Sequence, residues 1–377
     1  MRFVSSRSDS TGSSLQSCNT GEMSDAPVLS PTYPVARAAF LAAAEVAGAT
    51  IDTFEHPLLG PDGEALGIDV AELGPRDAAT VVLVFSATHG VEGYCGSALQ
   101  THWLTHHTAE RPAALRVVNV HALNPFGMAW VRRVNEDNVD LNRNFVDWAR
   151  QAPHNAEYDG IAADVVPDDW SAESQQRTME ALLHLVTEWG FEKVQAIVSG
   201  GQYAHPKGVF YGGTGPVWSH RWLRDWCANN LADAQRVIII DLHTGLGDWG
   251  HGELIASAAP SDPLFERALA LWPDSKSMLA GDSVSAVLAG DWLSVADELA
   301  PHAVVTPICI EYGTVDGISV LQSLRADAWM HGHGDPTGPD APAIRAQVRA
   351  AFADDDPAWI AACWPRFHEV LGAALRS

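Results

Sequence analysis

Cysteine is scarce in this sequence, and the few that occur are far apart. The 377 residues include five, and no CxxC spacing is present: Cys18, Cys95, Cys227, Cys309 and Cys363. An odd number of scattered thiols argues against a disulfide framework and against a thiolate zinc site. We therefore expect reduced thiols and a cytoplasmic protein.

Basic residues and long apolar runs are also few. The chain has 23 Lys and Arg against 47 Asp and Glu, giving a formal net charge of −24, and it has no cluster of five basic residues. This balance argues against nucleic acid or an anionic membrane as a partner. No apolar run reaches the ~18 residues that cross a bilayer, so no spanning helix is expected.

The first 28 residues lack apolar character. They are rich in Ser, Thr, Gly and Asn and do not contain the apolar middle of a secretory signal. We predict a disordered tail over residues 1–28, or an upstream extension of a gene whose true start is Met23. Residues 29–377 are predicted to form a single catalytic α/β domain.

The sequence does contain short apolar runs that alternate with helical patterns. Runs bounded by polar or turn residues predict buried strands at 80–86, 116–122, 194–199, 236–242 and 304–310. Periodic segments predict helices at about 34–48, 93–107, 171–190, 217–232, 262–273 and 357–375. This alternation predicts a three-layer α/β sandwich around a mixed, largely parallel sheet.

Polar side chains follow several of the predicted strands. His89 and Glu92 come after the first, and His243 ends the fourth. Because ligands bind at the carboxyl ends of strands in open α/β sheets, we expect these side chains to meet at one edge. Two histidines and one glutamate, with a position left for water, form a common catalytic zinc set. HxxE alone is a weak signal, and the alternative is a capped turn with an ordinary histidine at the edge of the sheet.

The stretch NPFGMAWVRRVNEDNVDLNRNF, residues 124–145, is rich in arginine and asparagine. Arg132, Arg133, Asn142 and Arg143 lie within twelve residues, and a guanidinium can hold a carboxylate with two hydrogen bonds. We predict that this segment grips a substrate carboxylate; a surface ion-pair segment is the alternative. Asp140 is the candidate partner for the second ring nitrogen of His89, or it forms an Asx-type turn.

Glu311 follows the last predicted strand within the sequence CIEYGT. Burial there would raise its pKa toward that of a useful general base. The alternative is an ion pair with one of the arginines. The Gly-rich segment 199–218 is expected to border the pocket, and Gln202, Tyr203 and Tyr211 are its candidate substrate-binding residues, unless the loop is merely structural.

HGVEG, NPFG, an arginine, DLNRNF, DLHTG and EYGT, in this order over about residues 80–315, resemble the zinc-carboxypeptidase superfamily. The superfamily includes the aspartoacylase and succinylglutamate desuccinylase branch, and the chain is most similar to a carboxypeptidase-like bacterial group. The resemblance implies Zn²⁺ on His89, Glu92 and His243, and Asn142 with Arg143 on the substrate carboxylate. It further implies that Arg132 or Arg133 polarises the scissile carbonyl and that Glu311 is the base and acid.

We therefore expect a zinc-dependent hydrolase that cleaves an amide next to a free carboxylate, in a small peptide or an N-acyl amino acid. The sequence does not separate a carboxypeptidase from an N-acyl-amino-acid deacylase. Two further alternatives are a non-catalytic binding protein and a dinucleotide-binding protein. The latter is suggested by GLGDWG at residues 245–250, which fits GxGxxG after a strand but lacks a helical pattern behind it.

Overall fold

An eight-stranded sheet runs through the part of the chain that the computed structural model describes, residues 26–377. Its strand order is β1-β2-β4-β3-β5-β8-β6-β7. The strands are β1 (Thr50–Leu59), β2 (Ala65–Leu73), β3 (Thr80–Phe85), β4 (Arg116–His121), β5 (Arg236–Trp249), β6 (Gly252–Ala256), β7 (Lys276–Ser277) and β8 (Val304–Gly313). Of the predicted tail, residues 1–25 lie outside the described residues.

The four central strands, β4, β3, β5 and β8, are parallel, and antiparallel pairs flank them. The predicted mixed, largely parallel sheet is therefore confirmed. Because parallel strands all end at the same edge, the residues that follow β3, β4, β5 and β8 are delivered to one side of the molecule.

Thirteen α-helices accompany the sheet in the described range. They are α1 (Tyr33–Val46), α2 (Gly93–His106), α3 (Pro125–Trp130), α4 (Ala156–Asp159), α5 (Ala162–Val165), α6 (Ala172–Trp189), α7 (Phe191–Ser199), α8 (Trp218–Asn230), α9 (Pro263–Leu271), α10 (Ala296–Leu299), α11 (Gly317–Gly332), α12 (Ala341–Phe352) and α13 (Pro357–Leu375). Local sequence sets several starts. Asp262 and Asp356 accept hydrogen bonds from backbone N–H groups at the first turns of α9 and α13, each of which begins with proline.

Both faces of the sheet are buried, which explains why its central strands are continuous apolar runs. In β3, Val82 and Val84 pack into the core formed with α1, α2 and α13, whereas Val81, Leu83 and Phe85 pack into the core formed with α8. The predicted three-layer sandwich is confirmed by these two cores. A third apolar cluster, built from α5, α6, α7, α11 and α12, lies beside the strand ends.

One predicted strand is wrong. Residues 194–199 form the second half of α7, with Val194, Ile197 and Val198 buried at helical spacing. A short apolar run is ambiguous between a strand and one buried helix face, and here packing against α6 selects the helix. The hairpin of β1 and β2 was not predicted, although its turn contains the Asp62-Gly63 pair typical of hairpins.

Two further observations concern the class of protein. Among the described residues no helix is both long and apolar enough to span a membrane. Of residues 245–250, which fit the dinucleotide pattern, 245–249 lie inside β5, so no helix N-terminus is available there for a pyrophosphate.

Candidate active site

The carboxyl ends of the central strands bring the predicted metal ligands together. His89 and Glu92 belong to the turn between β3 and α2, and His243 lies in β5 directly beside β3. His89 Nδ1 is 3.0 Å from Glu92 Oε1, His243 Nδ1 is 3.0 Å from Glu92 Oε2, and the two Nδ1 atoms are 3.1 Å apart. All three side chains are buried. Three donor atoms of metal-ligating type thus face one another across a distance that a single cation could bridge.

A buried carboxylate lies behind each imidazole. His89 Nε2 is 3.1 Å from Asp140 Oδ1, and His243 Nε2 is 2.6 Å from Asp241 Oδ2. Asp241 in turn accepts hydrogen bonds from the Trp292 indole at 2.8 Å and from the Thr88 hydroxyl. Carboxylates in this position fix the tautomer of a histidine so that its other nitrogen offers a lone pair, as metal-binding histidines require. The donor set therefore fits a divalent metal such as zinc.

The charges around the three proposed ligands favour a cation beside them. Burial alone would raise the pKa of Glu92, but His89, Arg133 and His243 together hold it well below the ordinary glutamate value. Burial would lower the pKa of His243, but the Asp241 and Glu92 carboxylates hold it well above the ordinary value. Glu92 is therefore ionised, and its surroundings stabilise a cation beside it.

Glu311 occupies the neighbouring position on β8, opposite His243 in the strand register. Burial, together with the charge of Glu92, raises its pKa to about 8. Its Oε1 accepts a hydrogen bond from the backbone N–H of Leu246 at 3.0 Å. This donor is available because β5 bends after Thr244, where Gly245 has a φ of 128°, a conformation that L side chains rarely adopt.

A cavity of about 220 Å³ opens beside these groups. It is lined at one end by His89, His243, Glu311, Arg133, Asn142 and Arg143. The Asn142 side-chain oxygen is buried and has no hydrogen-bond partner among the described residues. Arg143 donates to the carbonyl oxygens of Ser199 and Asn142, which occupies three of its five N–H groups. A polar ligand in the cavity could satisfy the donors and the acceptor that remain.

The two consecutive arginines are in different environments. Arg133 donates to Glu92 Oε1 at 2.5 Å and to Asp140 Oδ2 at 3.3 Å, at the edge of the cavity. Arg132 points away and pairs with the buried Asp327 at 3.0 Å. The left-handed backbone at Val131, with φ of 56°, ends α3 just before this pair. Of the two candidates, the structure therefore brings only Arg133 to the cavity.

The structure does not bring Gln202, Tyr203 and Tyr211 to the cavity. Gln202 holds its own loop through hydrogen bonds with residues 204, 205 and 209. Tyr203 donates to the Arg143 carbonyl oxygen, and Tyr211 packs in the core. From the segment 199–218, Ser199 and Phe210 line the cavity instead. The polar side chains of the Gly-rich segment therefore form hydrogen bonds that stabilise the loop.

Two groups behind the site were given no role from the sequence, Asp241 and Trp292. Asp241 could have been found, because residues i and i+2 of a strand point to the same face and Asp241 precedes His243 by two. Trp292 has no such signal, since it comes from a distant 3₁₀ turn, Trp292–Val295.

The strands that carry the site end in strained backbone. Ala87 and Ala122 both have positive φ, 58° and 59°, within two residues of the ends of β3 and β4. A hydrogen bond from Asn124 N to Ala87 O ties the two turns together. Non-glycine residues rarely adopt this conformation, and it commonly persists at functional sites where the surrounding structure enforces it.

Comparison with known proteins identifies the family of this chain. Residues 29–366 match the model described as "Protein of unknown function (DUF2817)". The chain belongs to the DUF2817 family. No curated protein matches this DUF2817 member.

Several solved structures are similar to this DUF2817 chain. Carboxypeptidase A from Helicoverpa armigera is 14% identical with a TM-score of 0.45, covering 86% of this chain and 74% of its own. An aspartoacylase family protein from Mesorhizobium loti is 12% identical with a TM-score of 0.39, covering 75% of this chain and 66% of its own. A succinylglutamate desuccinylase from Silicibacter is 14% identical with a TM-score of 0.38, covering 75% and 64%.

These are the classes of protein that the sequence motifs resemble. The chain spans slightly less than two thirds of the Mesorhizobium and Silicibacter proteins. At TM-scores below 0.5 these likenesses carry no argument for function, which depends on the side chains of the site itself.

Proposed function

We propose that this protein is a zinc-dependent hydrolase that cleaves an amide bond next to a free carboxylate. One observation carries the proposal. His89, Glu92 and His243 direct three donor atoms at one point, each imidazole is backed by a buried carboxylate, and the acid Glu311 faces the same cavity. Two nitrogens and one carboxylate beside an open cavity match the catalytic zinc sets of hydrolases.

His89, Glu92 and His243 would hold the zinc. When bound, zinc supplies Lewis-acid chemistry: it polarises a carbonyl group and makes water a stronger acid. Glu311 would accept the proton of the attacking water at its carboxylate and then deliver it to the leaving amine. Burial and the nearby charge of Glu92 raise the pKa of Glu311, which makes its ionised carboxylate a stronger base than that of an exposed glutamate.

The arginines would orient the substrate. Arg143 and Asn142 are proposed to bind the free carboxylate through their remaining donors, which fixes the scissile amide near Glu311. Arg133 is proposed to stabilise charge that develops on the scissile carbonyl oxygen. Arg132 is not given this role, since its guanidinium is committed to Asp327.

Substitution of the proposed base tests the mechanism. We expect Glu311→Gln to retain zinc and to lose at least a hundredfold in turnover, because general acid–base catalysis typically contributes ~10²–10⁴-fold. Hydrolysis of hippuryl dipeptides and N-acyl amino acids would be followed with zinc present and after chelation. The conservative control is Glu266→Gln, since Glu266 is exposed on α9 and does not line the cavity.

Zinc found in the protein must be assigned to one of two clusters of possible ligands. Among the described residues a second cluster, His107, Glu110 and His368, lies at the surface and could also bind a cation. We expect His243→Ala to lose the zinc that supports activity and His368→Ala to keep it. Undiminished activity of Glu311→Gln, or of the zinc-free protein, would reject the proposed mechanism.

A further inference from the structure

Three helices give the cavity an apolar wall. Helix α6 contributes Met179, Leu182, Leu183 and Val186, whose spacing of i, i+3, i+4 and i+7 places them on one face. The next helix, α7, adds further apolar residues, and α11 closes the wall with Leu321 and Leu324 among others. None of the lining residues from these three helices is charged.

Apolar residues are also exposed where this wall meets solvent. Leu183, Phe191 and Ile318 line the cavity and are 44%, 53% and 50% exposed. The three residues come from three helices, α6, α7 and α11, so each of these helices exposes apolar surface at the cavity mouth. Contiguous exposed apolar surface at a cleft is typical of a site that an apolar ligand covers.

The charged side chains that line the cavity come from outside these three helices. The charged lining residues are Arg133, Arg143, Asp291 and Glu311, and two of the proposed metal ligands, His89 and His243, line the cavity as well. Helices α6, α7 and α11 contribute no cation to the lining, and Arg143 reaches the Ser199 carbonyl oxygen at the end of α7. A substrate with a carboxylate at one end and an apolar group at the other matches both ends of the cavity.

The volume is sufficient for a sizeable group. Apolar cavities of about 150 Å³ already admit benzene. The volume here is about 220 Å³. His243 and Glu311 line the same cavity, so a group that binds in it belongs to the molecule that is cleaved.

We propose that the substrate carries an apolar group of phenyl size or larger, which binds against α6, α7 and α11 while the amide lies at the zinc site. This inference rests on the proposed function. Two substrate classes present this chemistry: an N-acyl amino acid with a long acyl chain, and a peptide with a large apolar side chain beside the scissile bond.

Two substrate series test the proposal and separate its sources. The first is N-acyl alanine with acyl chains from acetyl to dodecanoyl, and the second is hippuryl dipeptides ending in alanine, leucine or phenylalanine. We expect kcat/KM to rise about fourfold for each added methylene in the series that uses the wall, because burying one contributes a roughly constant free energy. The rise should stop when the cavity is filled.

Substitutions at the cavity mouth test whether the apolar wall causes the rise in kcat/KM. We expect Leu183→Gln and Ile318→Gln to lower kcat/KM for the longest substrate about three- to tenfold and to leave the acetyl or alanine substrate unchanged. Both residues are half exposed, so the substitutions are compatible with folding. The matched control is Leu269→Gln on α9, which is 40% exposed and lies outside the cavity.

Failure of this inference can be told apart from failure of the proposed function. Hydrolysis that is equal across both series would overturn the apolar wall and leave the hydrolase standing. Absence of hydrolysis with every substrate would reject the proposed function. In that case titration calorimetry of decanoate against the zinc-loaded protein decides separately: binding weakened by Leu183→Gln supports the wall, and no binding overturns it.

Discussion

At the scale of single residues, the carboxylates behind the imidazoles distinguish this site from a chance group of polar side chains. Asp140 and Asp241 are fully buried and each contacts a ring nitrogen that faces away from the proposed zinc. Surface His–Glu pairs such as His107–Glu110 have no comparable support among the described residues. The rear carboxylates therefore explain why the two imidazoles are held in fixed orientations.

Asp241→Asn tests that support. We expect zinc affinity to fall about 10–100-fold, the usual effect of removing a carboxylate that orients a metal-binding histidine. Affinity is measured by competition with a fluorescent chelator, with Asp297→Asn as the control because Asp297 is an exposed residue far from the triad. Unchanged affinity would show that His243 is oriented by other contacts.

A buried histidine away from the site makes the protein sensitive to acid. His121 stacks on Phe40 and contacts Ser97, and burial lowers its pKa to about 4, with Asp69 raising it and Arg37 lowering it to smaller extents. In the unfolded chain its pKa is near 6.5, so between pH 6.5 and pH 4 the unfolded state binds more protons. Its contribution to stability is present above pH 6.5 and falls by up to about 3 kcal/mol as the pH drops to 4.

Denaturation over this pH range measures the effect. We expect His121→Gln to lose less stability between pH 7 and pH 4 than the parent protein. Because the variant could pack poorly, the imidazole of His121 is also titrated directly by NMR. A His121 pKa of 6 or above would contradict the expectation.

Residue chemistry alone explains which parts of the site could be predicted. His89, Glu92 and His243 were identifiable because each follows an apolar strand. Arg132 and Arg133 could not be separated, since they are chemically identical neighbours. Their different partners depend on the backbone turn at Val131 and on Asp327, which is 195 positions away in the sequence.

At the scale of elements, the close packing of the 3₁₀ turn Gly90–Glu92 against α3 holds two of the proposed ligands in place. Backbone hydrogen bonds from Gly90 N and Val91 N to the carbonyl oxygens of Arg133 and Arg132 reinforce the contact. A Cβ atom at Gly90 would lie 2.1 Å from the carbonyl carbon of Gly127 and 2.3 Å from Met128 N. The turn therefore depends on glycine because of space.

Gly90→Ala is expected to force the turn away from α3. Overpacking of this kind usually lowers stability by about 1–3 kcal/mol, and here it should also weaken zinc binding because His89 and Glu92 move. The control is Gly215→Ala, where a Cβ would meet nothing within 4 Å. Thermal denaturation and zinc titration of both variants provide the comparison, and equal behaviour would contradict the steric argument.

The elements that the sequence mispredicted are those whose identity depends on packing. The five strand predictions relied on apolar runs, and four of these are central strands buried on both faces. Strand β1 is largely exposed and reads as polar, so it was missed. Helix α7 has a buried stripe of only Val194, Ile197 and Val198, which the sequence presents as a short continuous run.

At the scale of the whole molecule, a cation at the site would link distant parts of the fold. His89 and Glu92 come from the end of β3 and His243 from β5, so the ligands are in place only when these strands are paired. Zinc binding should then stabilise the folded state, because the unfolded chain does not preserve the site.

Thermal denaturation with and without zinc measures this coupling. At a zinc concentration a hundredfold above the dissociation constant we expect a gain of about 2.7 kcal/mol, and a chelator should reverse it. His243→Ala should abolish most of the gain, whereas His368→Ala should preserve it. A gain that survives His243→Ala and disappears in His368→Ala would locate the stabilising cation at the surface cluster.

The spacing of the ligands along the chain also has a consequence for biosynthesis. His89 and His243 are 154 positions apart, and the proposed base comes later still. A nascent polypeptide that has emerged only as far as α6 contains His89 and Glu92. It still lacks β5, the strand that carries His243. The proposed zinc site therefore cannot form early in translation, because β5 must first leave the ribosome.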